Sequence, residues 1–185
     1  MGNPEEEMRE RLKKELRTEI IRELRLGYFQ EEDEEERTEK DYPWIVFSLD
    51  GTEYGVNSKY VLSIEILGDI TPIVDSELHC PGITRSRGNM IGLLDLRALF
   101  GLGTYVSAKS TGQDDRYMMV VVETGGVRRG LIVDQIVAVE HVTRIDSADE
   151  SVCGNAITSR YIKHVARREK SDSPLLIINP ENLNI

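Results

Sequence analysis

Between Pro81 and Gly101 the chain reads "PGITRSRGNMIGLLDLRALFG", with Arg85, Ser86, Arg87 and Gly88 set before a long apolar run. A serine beside guanidinium groups could be a nucleophile, a glycine beside cations could cradle a phosphate, and an arginine on a turn could grip another protein. The first needs G-x-S-x-G at a strand-to-helix turn, and "RSRG" lacks both the leading glycine and that context. The second needs G-x-x-x-x-G-K-[ST], or G-x-G-x-x-G opening a helix; the near match, "GLG" at 101–103, follows a predicted helix instead. Asp114 and Asp115 could act as paired acid and base, but they lie in the polar loop "SAKSTGQDDR", whose expected role is solvation. His79 adjoins Cys80, and His141 and His164 flank Cys153, yet neither C-x-x-C nor H-x-x-x-H spacing is present. No metal, no cofactor and no catalytic site is therefore expected, and the two cysteines read as free, mostly buried thiols.

The third possibility rests on geometry. "ITRS", "RG" and "NMIGLLDL" read as two extended segments joined by a tight turn, with Gly88 free to take a backbone conformation closed to Arg87. Arg87 then stands at the tip. Its flat fork of donors and apolar stem suit a carboxylate or the side of a helix; the plainer reading is a solvated turn charge.

A scaffold must hold that tip. From Tyr42 onward the chain shows short apolar runs separated by turn residues. "WIVFSL", "DG" and "TEYGV" form a strand, a two-residue turn and a strand, because Asp-Gly tolerates the positive backbone angles such turns need. Further strands are predicted at Val61 to Leu67, Gly92 to Leu94, Tyr117 to Glu123, Val127 to Val133, Ile136 to Val142, Ile162 to Arg167 and Leu175 to Ile178, with a second hairpin turn at Gly125-Gly126. Short helices are predicted at Ser58 to Leu62 and at Asp95 to Phe100, where Asp95 caps and Gly101 stops. The pattern is that of an all-β domain, barrels or a sandwich.

The first 41 residues differ. They hold 15 acids and 9 bases, net −6, whereas residues 42–185 hold 18 and 14, net −4, which together make the −10 of the chain. Asn3 can cap a helix, Pro4 suits its first position and Glu5 to Glu7 complement its dipole; Gly27 can end it. Met8, Leu12, Leu16, Ile20 and Leu24 recur every fourth residue and make one narrow apolar stripe, for which folding back on the chain's own domain and self-association or helix docking are equally good fates. "QEEDEEERTEKD" then reads as a flexible acidic spacer. Residues 1–41 are thus a charged helix and spacer, and 42–185 a globular domain. An acidic chain repels nucleic acid and anionic lipid, no run reaches the roughly 20 apolar residues of a membrane helix, and the polar start is unlike a secretory signal. A cytoplasmic protein is expected.

Several segments together carry a resemblance. "FSLDGTEYGV", "VLSIEI", "PGITRSRGNMIGLLDLR", "YMMVVVETGGVRRGLIVDQI" and "YIKHVARREKSDSPLLIINPENL" are similar, in that order, to the CheW-type coupling proteins of bacterial chemotaxis, over about residues 44–183. The resemblance implies two SH3-like five-stranded β-barrels sharing a core, no catalysis, and partners in the helical-hairpin tips of chemoreceptors and the regulatory domain of the histidine kinase CheA. Carried over by position, the family's N-L-R-G turn falls on "RSRG", so that Arg87 and Gly88 match; Gly82 opens the segment, and Val61 and Ile64 take the family's apolar contact positions. Arg85 and Ser86 replace the usual Asn and Leu. Ser63 stands, followed by Glu65, where some members have an acid. A scaffold of another chemosensory or motility array, its partner chosen by the N-terminal helix, and a ligand-binding barrel or enzyme are the rival readings.

Overall fold

The computed structural model describes residues 38–106, 117–142, 144–147, 156–168 and 171–183. The chain divides into two units, Met1–Asp41 and Tyr42–Ile185. The helix and spacer expected before Thr38, with the stripe Met8, Leu12, Leu16, Ile20 and Leu24, lie outside the described residues, as do Asp114, Asp115 and Cys153.

The second unit is built from β1 (Trp44–Leu49), β2 (Thr52–Asn57), β3 (Val61–Ile66), β4 (Ile83–Ser86), β5 (Asn89–Asp95), β6 (Met118–Thr124), β7 (Val127–Val133), β8 (Gln135–Glu140), β9 (Arg144–Ser147), β10 (Ile162–Arg168) and β11 (Ser171–Ile178). They form two sheets, one in the order β8-β1-β2-β11-β10-β9 and one in the order β3-β6-β7-β5-β4. Among the described residues the second has the five strands expected; the first has six, because β9, which no sequence signal announced, pairs with β10.

Three hairpins share one turn chemistry. Asp50-Gly51 has φ of 51° and 79°, Gly125-Gly126 57° and 78°, and Arg87-Gly88 46° and 87°. Two successive positive φ values match the right-handed twist of the flanking strands, and they set the registers Leu49↔Thr52, Thr124↔Val127 and Ser86↔Asn89. The third turn corrects an expectation: Arg87, as well as Gly88, takes the left-handed conformation, at a cost of roughly 1 kcal/mol for a residue with a Cβ.

Both sheets curl. In the second, the edge strands β3 and β4 meet through a hydrogen bond from Ser86 to Glu65, and the segment after β3 bridges back at Thr71↔Ile83. In the first, Arg168 on β10 reaches Glu140 on β8, four strands away in the sheet order, and Glu53 on β2. Each curl encloses its own apolar cluster: Trp44, Val46, Ala166, Leu175 and Ile177 in one, and Ile91, Leu93, Met119, Val121 and Ile132 in the other. Alternate residues on the same strands, Ile45, Phe47 and Leu49 on β1 and Val120 and Val122 on β6, are just as buried. Strand periodicity sends them to the outer faces, so a further apolar layer lies there. The rings of Phe47, Tyr54 and Phe100 run through it with centroids 6.1 and 5.3 Å apart, joining the first hairpin to the helix after β5.

The two helix expectations fare differently. Asp95 caps a one-turn helix Leu96–Leu99, accepting from the N–H of Arg97 at 3.0 Å, and Gly101 leaves it with φ 74°. The other is confined to a 3-10 turn at Ser58–Tyr60, because β-branched Val61 is already paired with Val122 and fully buried.

Candidate functional site

The β4–β5 hairpin is rooted at Gly82. Its φ is 150°, and a side chain there would begin 2.2 Å from the carbonyl oxygen of Thr71, so only glycine lets the hairpin lie against the β3–β4 connection. Thr84 ties the same connection by donating to the carbonyl of Asp69 at 2.7 Å.

From this root the strand alternates. Thr84 and Ser86 turn in and are buried, while Arg85 turns out. Ser86 donates to Glu65 Oε1 at 2.7 Å, and Ser63 donates to the same oxygen at 2.6 Å. Arg87 Nε stands 3.8 Å from that oxygen, with the arginine side chain 72% exposed and the glutamate 24%. Hydroxyl donors to a carboxylate make short, charge-assisted bonds, so Glu65 is satisfied largely without the arginine. An ion pair this long and exposed contributes about 0–1 kcal/mol. Arg87 is therefore held loosely at the tip of a stiff hairpin and can exchange Glu65 for an outside carboxylate at small cost. The serine of "RSRG" is a buried donor to a carboxylate, an arrangement that does not activate it as a nucleophile.

The sequence-predicted positions separate into two groups. Arg87, Gly88 and half-buried Ile64 are at or near the surface, and Ile66, one position beyond Glu65, is exposed. Val61 is different: its exposure is 0% and it packs at the start of β3, so it supports the strand from beneath and offers no atoms to a partner. Gly82 is buried too and acts through the backbone.

Two ionic clusters escaped the sequence reading. Arg97 places Nε 2.7 Å from Asp134 Oδ1 and Nη2 2.9 Å from Asp134 Oδ2, a bidentate fork, and Nη2 also lies 3.3 Å from Asp50 Oδ1. The hydrogen bond to Asp134 raises the guanidinium's pKa above its ordinary range, against the opposing effect of burial. The cluster joins the first hairpin turn to the end of β5. Arg168, with its contacts to Glu53 and Glu140, is the second, and its side chain is 7% exposed. No sequence signal announced either cluster, because Arg97 lies 37 residues from Asp134 in the first, and Arg168 lies 28 and 115 residues from its two partners in the second.

Cys80 is a free, half-buried thiol, less enclosed than expected. Burial pushes its pKa up, Arg129 pulls it down and Glu77 pushes it up further. Glu77 also lies 3.2 Å from His79 Nε2. Among the described residues no three His, Cys, Asp or Glu side chains gather as metal ligands would. Among the same residues no helix is long and apolar enough to cross a membrane.

Comparison with known proteins completes the description. The model of the CheW-like domain family matches residues 43–184. Among solved structures, the chain is similar to the scaffolding protein TtCheW from Thermoanaerobacter tengcongensis, with 26% sequence identity and a TM-score of 0.63 over 75% of this chain and 88% of that one.

Proposed function

The chain belongs to the CheW-like domain family, a family of scaffold proteins, and from that premise we propose that it is a non-enzymatic adaptor coupling chemoreceptor tips to the histidine kinase CheA. In this reading each curled sheet is an SH3-like barrel, the protein works in the cytoplasm, and the receptor's helical hairpin and the kinase's regulatory domain occupy separate faces. Arg87, Gly88, Gly82 and Ile64 serve the receptor contact, with Val61 as packing beneath it.

The observation that carries the reading is the exposed guanidinium of Arg87, only loosely engaged by Glu65, on a hairpin that Gly82 and Ser86 immobilise. A rigid loop with a weakly engaged cation loses little entropy when it docks on a helix bearing acids. Replacing Arg87 by Asp tests it. Receptor-dependent activation of CheA in a reconstituted array should disappear, with the thermal midpoint nearly unchanged. Normal coupling by that variant, or its unfolding, would remove the assigned role.

A further inference from the structure

Three outward side chains stand level across three neighbouring strands of the second sheet. Arg85 on β4 pairs with Met90 on β5. On the parallel neighbour β7, Gly92 pairs with Arg129, so that two residues earlier on each strand Met90 and Val127 come side by side. All three are exposed, Met90 at 54% and Val127 at 46%. Further along the same face Leu94 and Leu131 are paired and fully buried, so Met90 and Val127 are the solvent-facing end of the outer apolar layer. The next outward position on β5 is Gly92, where an added side chain would meet nothing within 4 Å. Its partner across β4 is half-buried Ile83. The surface is a shallow trough floored by glycine and flanked by Met90 and Val127, with half-buried Arg129 beside that glycine on β7, Arg85 on the rim and Arg87 two residues further on at the turn.

The charge pattern identifies the occupant. A trough one residue wide takes one apolar side chain from an α-helix, and helix geometry then brings residues three and four positions away over the rim. The rim is cationic in a chain whose net charge is −10, so an acidic residue at that spacing is attracted here and repelled by most of the remaining surface. We propose that the outer face of β4, β5 and β7 is a second contact surface for the chemoreceptor hairpin, and that Arg85 selects hairpins carrying an acidic side chain one helical turn from an apolar one. This rests on the receptor-coupling reading above and adds to it a specificity-determining residue where the family's usual residue is Asn.

Titration calorimetry at low and moderate salt, with the soluble cytoplasmic hairpin of a chemoreceptor from the same source as probe, tests the proposal. Arg85→Gln should weaken binding about fivefold, the size of one exposed charge pair, and flatten its salt dependence. Gly92→Val, which fills the trough without touching the interior, should weaken binding at both salt concentrations. Both variants should keep the wild-type thermal midpoint; if Gly92→Val does not, Met90→Ala takes its place. Wild-type affinity in Arg85→Gln and the trough variant, with binding lost in Arg87→Asp, overturns this proposal and leaves the coupling reading intact. The same holds if the variants impair only binding to the kinase regulatory domain. A wild-type protein that binds no such hairpin overturns both.

Discussion

Ser86 on β4 donates its hydroxyl to Glu65 on β3 at 2.7 Å, across the seam where the two edges of the five-stranded sheet meet. Ser63 supplies a second donor to the same oxygen. One serine from each edge strand thus converges on a single carboxylate. The seam is a polar latch: a closed barrel has no free edges, but these two strands are joined by side chains where backbone pairing stops.

Ser86→Ala leaves Glu65 with one donor fewer in a partly buried site and should cost about 1–3 kcal/mol in urea unfolding. Ser63→Ala should cost a similar amount. Because both serve one acceptor, the double variant should differ from the sum of the singles by at least about 0.5 kcal/mol. Strict additivity would mean that the latch is not a shared unit.

Arg97 holds the first hairpin turn to the end of β5 through Asp134 and Asp50. Removing it strands a mostly buried carboxylate, so Arg97→Ala should destabilise by roughly 3 kcal/mol. Arg97→Lys should recover only part of this, since an ammonium cannot make the bidentate contact. Chemical denaturation of both variants checks the order; full rescue by lysine would reduce the cluster to simple charge balance.

Asp95 gives the stability a pH dependence of definite sign. Burial raises its pKa above the ordinary 3.8, although the N–H groups of Tyr105, Ala98 and Arg97 bind the carboxylate and pull it down. Above 3.8 and up to its raised folded value, the folded protein holds this proton more tightly than the unfolded chain does. The contribution of Asp95 to stability is therefore largest at acid pH and declines as pH rises through that window. The stability difference between wild type and Asp95→Asn should shrink in the same direction. A difference that grows with pH would reverse the assignment.

The turns and the first hairpin were legible in the sequence because their cause is local: Asp50-Gly51 and Gly125-Gly126 carry their backbone preference with them. The same applies to the Asp95 cap. What was hidden depends on closure of the sheets. Ser86 and Glu65 are 21 residues apart, and Arg97 and Asp134 are 37 apart, so no periodicity links them. The difference between Val61 and Ile64 was hidden as well. The pairing of β3 with β6 shifts between Val61 and Ser63, which sets Val61 opposite Val122 and Ile64 opposite Val120, on one face. Val61 is nonetheless fully buried and Ile64 only half-buried, a contrast that depends on what packs over each end of the strand and not on position within it.

Arg87 occupies a conformation that its own side chain disfavours. With φ at 46° it sits in a two-residue turn whose first position suits Asn or Asp. Its ion pair with Glu65, 3.8 Å long and with the arginine mostly exposed, adds little to stability. Arg87→Asn should therefore keep the turn, relieve up to about 1 kcal/mol of strain and raise the thermal midpoint by about 2–4 °C. It should at the same time lose receptor-dependent kinase activation, because the asparagine side chain cannot reach a partner's carboxylate from the tip. Gain in stability together with failure of coupling is the signature of a residue retained for binding against the preference of the fold. A variant that melts several degrees lower would show instead that the guanidinium holds the hairpin together, and the tip would have to be reassigned as a structural element.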